Sequence, residues 1–405
     1  MTKKRKMMKT MMLLSLAAVT ALNAGSMDEA FKGGKASGQI RAAYVDQDNA
    51  VDTDTYGTSL GGILKFETAA SNGITLGVAG YASQKIHSLT GSFDEGKANG
   101  DLFAENTKSY AYVGEAYVDY SANDLTLRIG RQLIDTPLAD TDDIRMHPNS
   151  FEAAVVSYGG IEGTTFVGGY VTRWAGYDSG GDISKFKKLA GDNSEGAAVV
   201  GIMNESIENL GVQGWYYGID ELADAFYTDA TYAIPFSETM GLELIGQFAT
   251  FSEERNSGLD GNVYGIGARF NIGMASVGAA YNKASNNEGD FVSNGFGGGP
   301  YITSMEEMTI DGFEDVKAYQ LSADLDLTNA GLEGVSLCAL YGDFKSVPAN
   351  MRVKEFDVIA TYEMSEAFNA EMSYAMVADK NNNTSEDGLY DGGYDRFLVR
   401  LNYNF

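Results

Sequence analysis

Eighteen stretches of this chain alternate apolar and polar side chains, and the connections between them are sorted by length in one unbroken phase. The first stretch runs from Lys35 to Asp46. The last ends the chain, with Phe397, Val399, Leu401, Tyr403 and Phe405 alternating with Arg396, Leu398, Arg400, Asn402 and Asn404. A period of two is the pattern of a β-strand with one apolar and one polar face, and about ten residues is what a tilted strand needs to cross a bilayer. Every second connection is short, as at 69–73, 121–124, 159–163 and 273–274, whereas all the long ones (84–109, 132–150, 175–196, 284–315 and 378–394) fall in the other series. A soluble sandwich has no reason to sort its connections. An up-and-down membrane barrel must, because short periplasmic turns occupy one rim and long extracellular loops the other. The expected fold class is all-β, a transmembrane antiparallel β-barrel of about 18 strands, with roughly 16 to 18 fitting the pattern. In the stretch from Tyr110, parity directs Tyr112, Gly114, Ala116, Val118 and Tyr120 toward lipid and Val113, Glu115, Tyr117 and Asp119 inward.

The N-terminus has the build of a secretory signal peptide, with Lys3, Lys4, Arg5, Lys6 and Lys9 ahead of an apolar run from Met11 to Ala21. Cleavage is expected after Ala24. That divides the chain into a signal peptide, 1–24, and one barrel domain, 25–405. Only about ten residues then precede the first strand, too few for a separate plug domain.

The net charge is −27 before the basic leader is removed, a field that repels nucleic acid and attracts cations. Cys338 is the only cysteine, so no intramolecular disulfide contributes to stability. The 49 Gly, 24 Tyr and 20 Phe beside only 5 Pro suit extended structure with aromatic belts. Mean hydropathy of −0.19 fits a membrane barrel because only half of each strand faces lipid.

A barrel in hydrocarbon must close, since unpaired backbone groups at an edge each cost several kcal/mol. The terminal strand should therefore pair with the first. At about 18 strands the lumen is too wide for side chains to fill, so a loop must narrow it. The connection 132–150 is the best candidate, with its approach at Gly130, Arg131 and Gln132. The run Gly-Arg-Gln-Leu-Ile-Asp-Thr-Pro-Leu from Gly130 to Leu138, an acidic stretch, and then Arg145, Pro148, Asn149 and Phe151 resembles the OprD-type outer-membrane porins. That resemblance implies an 18-stranded monomer or homotrimer in the outer membrane, whose third loop folds inward to form a constriction for passive uptake of small hydrophilic solutes.

An eyelet of this kind selects by diameter and by opposed charges. Asp135, Asp140, Asp142 and Asp143 supply candidate carboxylates, and Arg145 a candidate partner that fixes the loop. By parity Arg41, Lys65, Arg128, Arg269, Arg396 and Arg400 face the lumen, and Arg131 joins this basic wall at the approach to the loop. Family members carry a basic ladder for carboxylate-bearing solutes, and Arg396 and Arg400 resemble part of it. The chain is too sparse in arginine for the rest to be transferred. Tyr403 and Phe405 look like the C-terminal signal read by the barrel assembly machinery.

Hydrolytic chemistry finds no support, because His87 and His147 are the only histidines and neither sits in a nucleophile motif. No cofactor or dedicated metal site is expected. Loosely bound calcium among acidic loops is compatible with Asp379, Asn381 and Asn383 or with Asp46, Asp48, Asp52 and Asp54, but Thr384 and Tyr390 stand where an EF-hand needs Gly and Glu. The leading function is a porin, either cation-preferring or handling small carboxylate or amino-acid-like solutes. The alternative is a surface barrel with an adhesive or structural role through its acidic loops.

Overall fold

The computed structural model describes residues 24–87, 97–381 and 392–405. Among them one antiparallel sheet closes on itself, formed by β1 (Lys35–Asn49), β2 (Thr55–Glu67), β3 (Ile74–Lys85), β4 (Tyr110–Ala122), β5 (Leu125–Gln132), β6 (Ser150–Ile161) and β7 (Thr164–Ala175). It continues through β9 (Ala197–Ile207), β10 (Leu210–Ile219), β11 (Ala223–Ser237), β12 (Met240–Glu253), β13 (Gly261–Ile272) and β14 (Ala275–Ser285). The last five strands are β15 (Lys317–Asp326), β16 (Val335–Ser346), β17 (Met351–Glu363), β18 (Phe368–Asp379) and β19 (Tyr394–Asn404). The remaining strand, β8 (Lys187–Lys188), is a two-residue ribbon against β7, so the wall is eighteen-stranded.

Closure is made where the sequence requires it. β1 pairs with β19 from Gln39 opposite Asn404 to Asn49 opposite Tyr394. Below that ladder Gly38 and Phe405 exchange two N–H···O bonds of 3.0 Å, so the end of the chain leaves no open edge. Ahead of β1 a short helix, Ala24–Lys32, lies at the periplasmic turn after β2, where the Ala69 N–H donates to Ala30 O at 2.9 Å and Phe31 stacks on Phe66. The segment 1–23 lies outside the described residues.

Register shifts interrupt the alternation at several points, and the one on β4 changes which side chains face the lumen. Between Ala79 and Gly80 of β3 the partner on β4 skips from Glu115 to Val113, leaving Gly114 as a bulge. A Cβ there would meet the Tyr81 ring at 2.5 Å, so glycine is what allows the ring to lie on the backbone. The bulge reverses the facing expected above it. Tyr112 turns inward and Val113 outward, while Glu115, Tyr117 and Asp119 keep the inward positions parity gives them.

The interior is not an open cylinder. Loop 7, residues 286–316, folds into the lumen and packs Val292, Tyr301, Met308, Ile310 and Phe313 against inward wall residues of β11 to β18. Burying such side chains is favourable by roughly 2 kcal/mol each as an upper estimate, enough together to hold a long segment against its ordering entropy. Loop 3, residues 133–149, enters beside it, with Leu138 fully buried on Tyr217 of β10. The seventh loop thus joins the third, the one expected from the sequence, inside the barrel.

Candidate functional site

Loop 3 is strung across the barrel between opposite walls. At one end the Leu138 N–H donates to the Tyr217 hydroxyl at 3.2 Å. At the other, Arg41 of β1 grips Asp143 through Nη1 at 2.6 Å and Nη2 at 2.8 Å. The same guanidinium donates to Arg145 O at 2.8 Å and to Asn402 Oδ1 at 2.7 Å. Arg400 of β19 donates to Asp143 O and pairs with Glu371 of β18. Arg41 is buried, and a buried guanidinium persists only when its fork is filled in this way.

A second knot joins three loops. Arg396 of β19 donates to Glu307 of loop 7 at 2.9 and 3.0 Å and also pairs with Asp101 of loop 2. Arg145 of loop 3 reaches the same two carboxylates at 3.4 and 3.7 Å and lies over the Tyr177 ring of loop 4. Glu307 is positioned by the wall. Glu355 on β17 accepts the Glu307 and Met308 N–H groups at 2.9 and 2.8 Å, and Asp357 accepts that of Glu306 at 3.2 Å.

Loops 3 and 7 interlock through backbone, which explains the glycine run beginning at Gly295. The Phe296 N–H donates to Leu138 O at 3.0 Å and the Asp140 N–H to Phe296 O at 3.1 Å, while Gly298 and Gly299 N–H groups hold the Asp140 carboxylate. A Cβ on Gly295 would stand 2.3 Å from Leu138 O, so nothing larger permits this approach. The far end of loop 3 is fixed by His147, enclosed by Tyr81, Tyr110 and Tyr112 at ring separations of 5.0 to 5.4 Å. Its Nδ1–H donates to Pro148 O at 3.1 Å, which leaves Nε2 to accept from the Tyr110 hydroxyl at 2.7 Å. Burial pushes this imidazole down to about 4, so it is neutral.

On the extracellular side of the interlock lies a cavity of about 490 Å³, bounded by Trp174 and Tyr177 and by Asp142, Asp178, Glu306 and Asp311. None of these four carboxylates forms an ion pair among the described residues. Burial, followed by repulsion from Asp178 and Asp140, raises Asp142 to about 8. Burial also holds Glu306 and Asp311 above the usual carboxylate range. Toward the periplasm a second cavity, about 440 Å³, is lined by Trp215, Tyr227, Asp229 and Pro300.

A sequence model described as outer membrane porin, OprD family, matches residues 29–403. The chain belongs to the OprD family of outer-membrane porins. Its fold is similar to crystal structures from Pseudomonas aeruginosa. For OccK9 (OpdG) the TM-score is 0.77 at 16% identity, covering 93% of this chain and 100% of that one. OpdK with vanillate gives 0.75 at 16% over 93% and 99%, and OprD gives 0.71 at 15% over 93% and 96%. A comparison with curated proteins finds no match.

The structure scatters this porin's sequence-nominated residues among several roles. Asp143, Arg145, Arg41, Arg396 and Arg400 meet where loop 3 reaches the β1–β19 seam, and Asp142 faces the cavity. Asp140 is consumed by the loop 7 backbone, and Asp135 accepts from Thr141 within its own loop. Lys65 pairs with Glu115 at 3.0 Å and Arg128 with Asp119 at 2.9 Å, both nearer the periplasm, while Arg269 of β13 pairs with Asp324 of β15 over the intervening Ser276 of β14. Arg131 takes the face of β5 opposite Arg128 and Gln132, pairs with Glu152 at 3.0 Å and lies over Phe186. Tyr403 and Phe405 are half exposed and stack on one another. Asp379 accepts the Asn381 N–H, and Asn383 lies outside the described residues. Asp101, Glu307, Glu371 and Asn402 were not anticipated. For Glu307 a signal existed, because Met305, Met308, Ile310 and Phe313 make its loop too apolar for a solvated excursion.

Proposed function

We propose that this porin passes small hydrophilic solutes by passive diffusion and favours cationic ones at its constriction. The observation that carries this reading is the pairing of charges. Arg41, Arg145, Arg396 and Arg400 are all engaged by Asp101, Asp143, Glu307 or Glu371, and of the carboxylates that border the free cavity Glu307 alone has a cationic partner among the described residues, which leaves Asp142, Asp178, Glu306 and Asp311 without an ion pair. A solute entering from outside therefore meets a negative potential inside low-dielectric walls, which concentrates cations. The chain acts as a channel, and His147 serves to fix loop 3 among Tyr81, Tyr110 and Tyr112. It needs no cofactor. Tyr403 and Phe405 act as the assembly signal, and each barrel is a complete channel whether single or in a homotrimer.

Liposome swelling with a diamine, a diol and a dicarboxylate of equal chain length tests the reading. The diamine should enter several times faster than the dicarboxylate, and the order should flatten in an Asp142→Asn, Glu306→Gln, Asp311→Asn variant. Faster entry of the dicarboxylate contradicts it.

A further inference from the structure

On the outer surface, at the extracellular ends of β14 to β18, five cationic side chains stand in one cross-strand row. The register places Lys283 opposite Lys317, Lys317 opposite Lys345 and Lys345 opposite Arg352. Lys380 continues the row, since its N–H donates to Arg352 O at 2.8 Å. Strand parity turns all five away from the lumen, because the neighbours Ala284, Ala318, Phe344, Val353 and Asp379 are the inward, buried ones. At a strand spacing of about 4.8 Å the row spans about 19 Å.

Such a row is unfavourable by itself. Like charges directly opposite on neighbouring strands repel, and this chain carries 56 acidic residues against 29 basic, so carboxylates were abundant for alternation. Lys283, Lys317, Lys345 and Lys380 form no ion pair among the described residues. Asp343, one step toward the membrane, pairs with Arg352 at 3.0 Å and Lys354 at 3.6 Å, holding both heads at the same level. A groove of about 290 Å³ opens there, lined by Lys317, Lys345, Arg352, Tyr319, Asp343 and Asp315, so two carboxylates oppose the cations but do not cancel them.

The position of the row identifies its counter-charge. Immediately toward the membrane come Tyr281 and Tyr319, with ring centroids 4.7 Å apart, then Leu321, Tyr341 and Phe356, all outward. Paired tyrosines above an apolar band mark the interface level of a barrel, so the cations stand at headgroup height in the outer leaflet. We infer that this row is a binding site for the phosphate groups of an anionic glycolipid headgroup in that leaflet, with the tyrosine band against its acyl chains. Several fixed cations at one depth suit a headgroup bearing more than one phosphate.

The test uses the full-length porin in detergent micelles doped with bisphosphorylated lipid A or its dephosphorylated form. Binding is compared between the native chain, a Lys317→Gln, Lys345→Gln, Arg352→Gln variant, and a Lys32→Gln, Lys35→Gln control at the periplasmic end. Heat-modifiable gel mobility and unchanged conductance establish that each variant is folded. The native chain and the control should hold the phosphorylated lipid, and the triple variant should lose threefold or more of the affinity. A smaller loss, or equal binding of the dephosphorylated lipid, overturns the assignment. So does displacement of the lipid by inorganic tripolyphosphate at equal phosphate concentration, which would make the row a general anion site.

Discussion

Arg41 and Asp143, 102 residues apart in sequence, are joined by two parallel hydrogen bonds of 2.6 and 2.8 Å that hold loop 3 against the seam where the barrel closes. Asp143→Asn keeps the size of the side chain but leaves the buried Arg41 charge with only Asn402 and a carbonyl. The docked loop should weaken by roughly 2 to 3 kcal/mol. Single-channel conductance should rise, and loop 3 should become cleavable by protease added from outside. A variant unchanged in both measurements would show that the pair does not hold the loop.

His147 predicts an acid-sensitive constriction. Its folded value near 4 lies below the ordinary value of about 6.5, so a released loop takes up a proton that the docked loop excludes. Docking is complete above about 6.5 and is lost as pH falls toward 4, by an order of 3 kcal/mol. Conductance fluctuations recorded from pH 7 to pH 4.5 should increase, and His147→Gln should remove most of that dependence. An identical profile in the variant would assign the effect to another group.

Asp142 predicts a change on the alkaline side. Near neutral pH it holds a proton beside Asp178, and above about 8 it adds a negative charge to the cavity. Cation preference should therefore increase between pH 7 and pH 9 in the native channel and stay level in Asp142→Asn. A rise of equal size in the variant would contradict the role given to this carboxylate.

Gly295→Ala tests the interlock of loops 3 and 7. The residue has φ +86° and its Cβ would lie 2.3 Å from Leu138 O, so the added methyl forces the two backbones apart. A conductance above the native value is expected, without loss of heat-modifiable mobility. Gly180→Ala, also at positive φ but with nothing near its Cβ, should leave conductance unchanged.

The wall was legible in the sequence because its determinants are local. Alternation from Phe397 to Phe405 and the sorted connections need no knowledge of partners, and the closing strand follows from the requirement that no edge remain. Alternation failed at Tyr112 and Val113 because one extra residue, Gly114, reverses parity, and only the Tyr81 ring on the facing strand makes that bulge favourable. The constriction was half legible. The third loop carries a run that resembles a family, but Asp101 and Glu307 reach Arg396 from 295 and 89 residues away, and no local pattern specifies such a meeting. Parity placed Arg396 and Arg400 inward without revealing that both would be neutralised there.

Neutralised arginines beside unpaired carboxylates are the central claim, and the reversal potential of the native channel in a planar bilayer under a tenfold KCl gradient tests it most directly. The account predicts a potential of the sign that marks potassium as the more permeant ion, shrinking when Asp142, Glu306 and Asp311 are replaced together by their amides. A potential of the opposite sign would mean that the arginines, and not the carboxylates, set the field a solute meets.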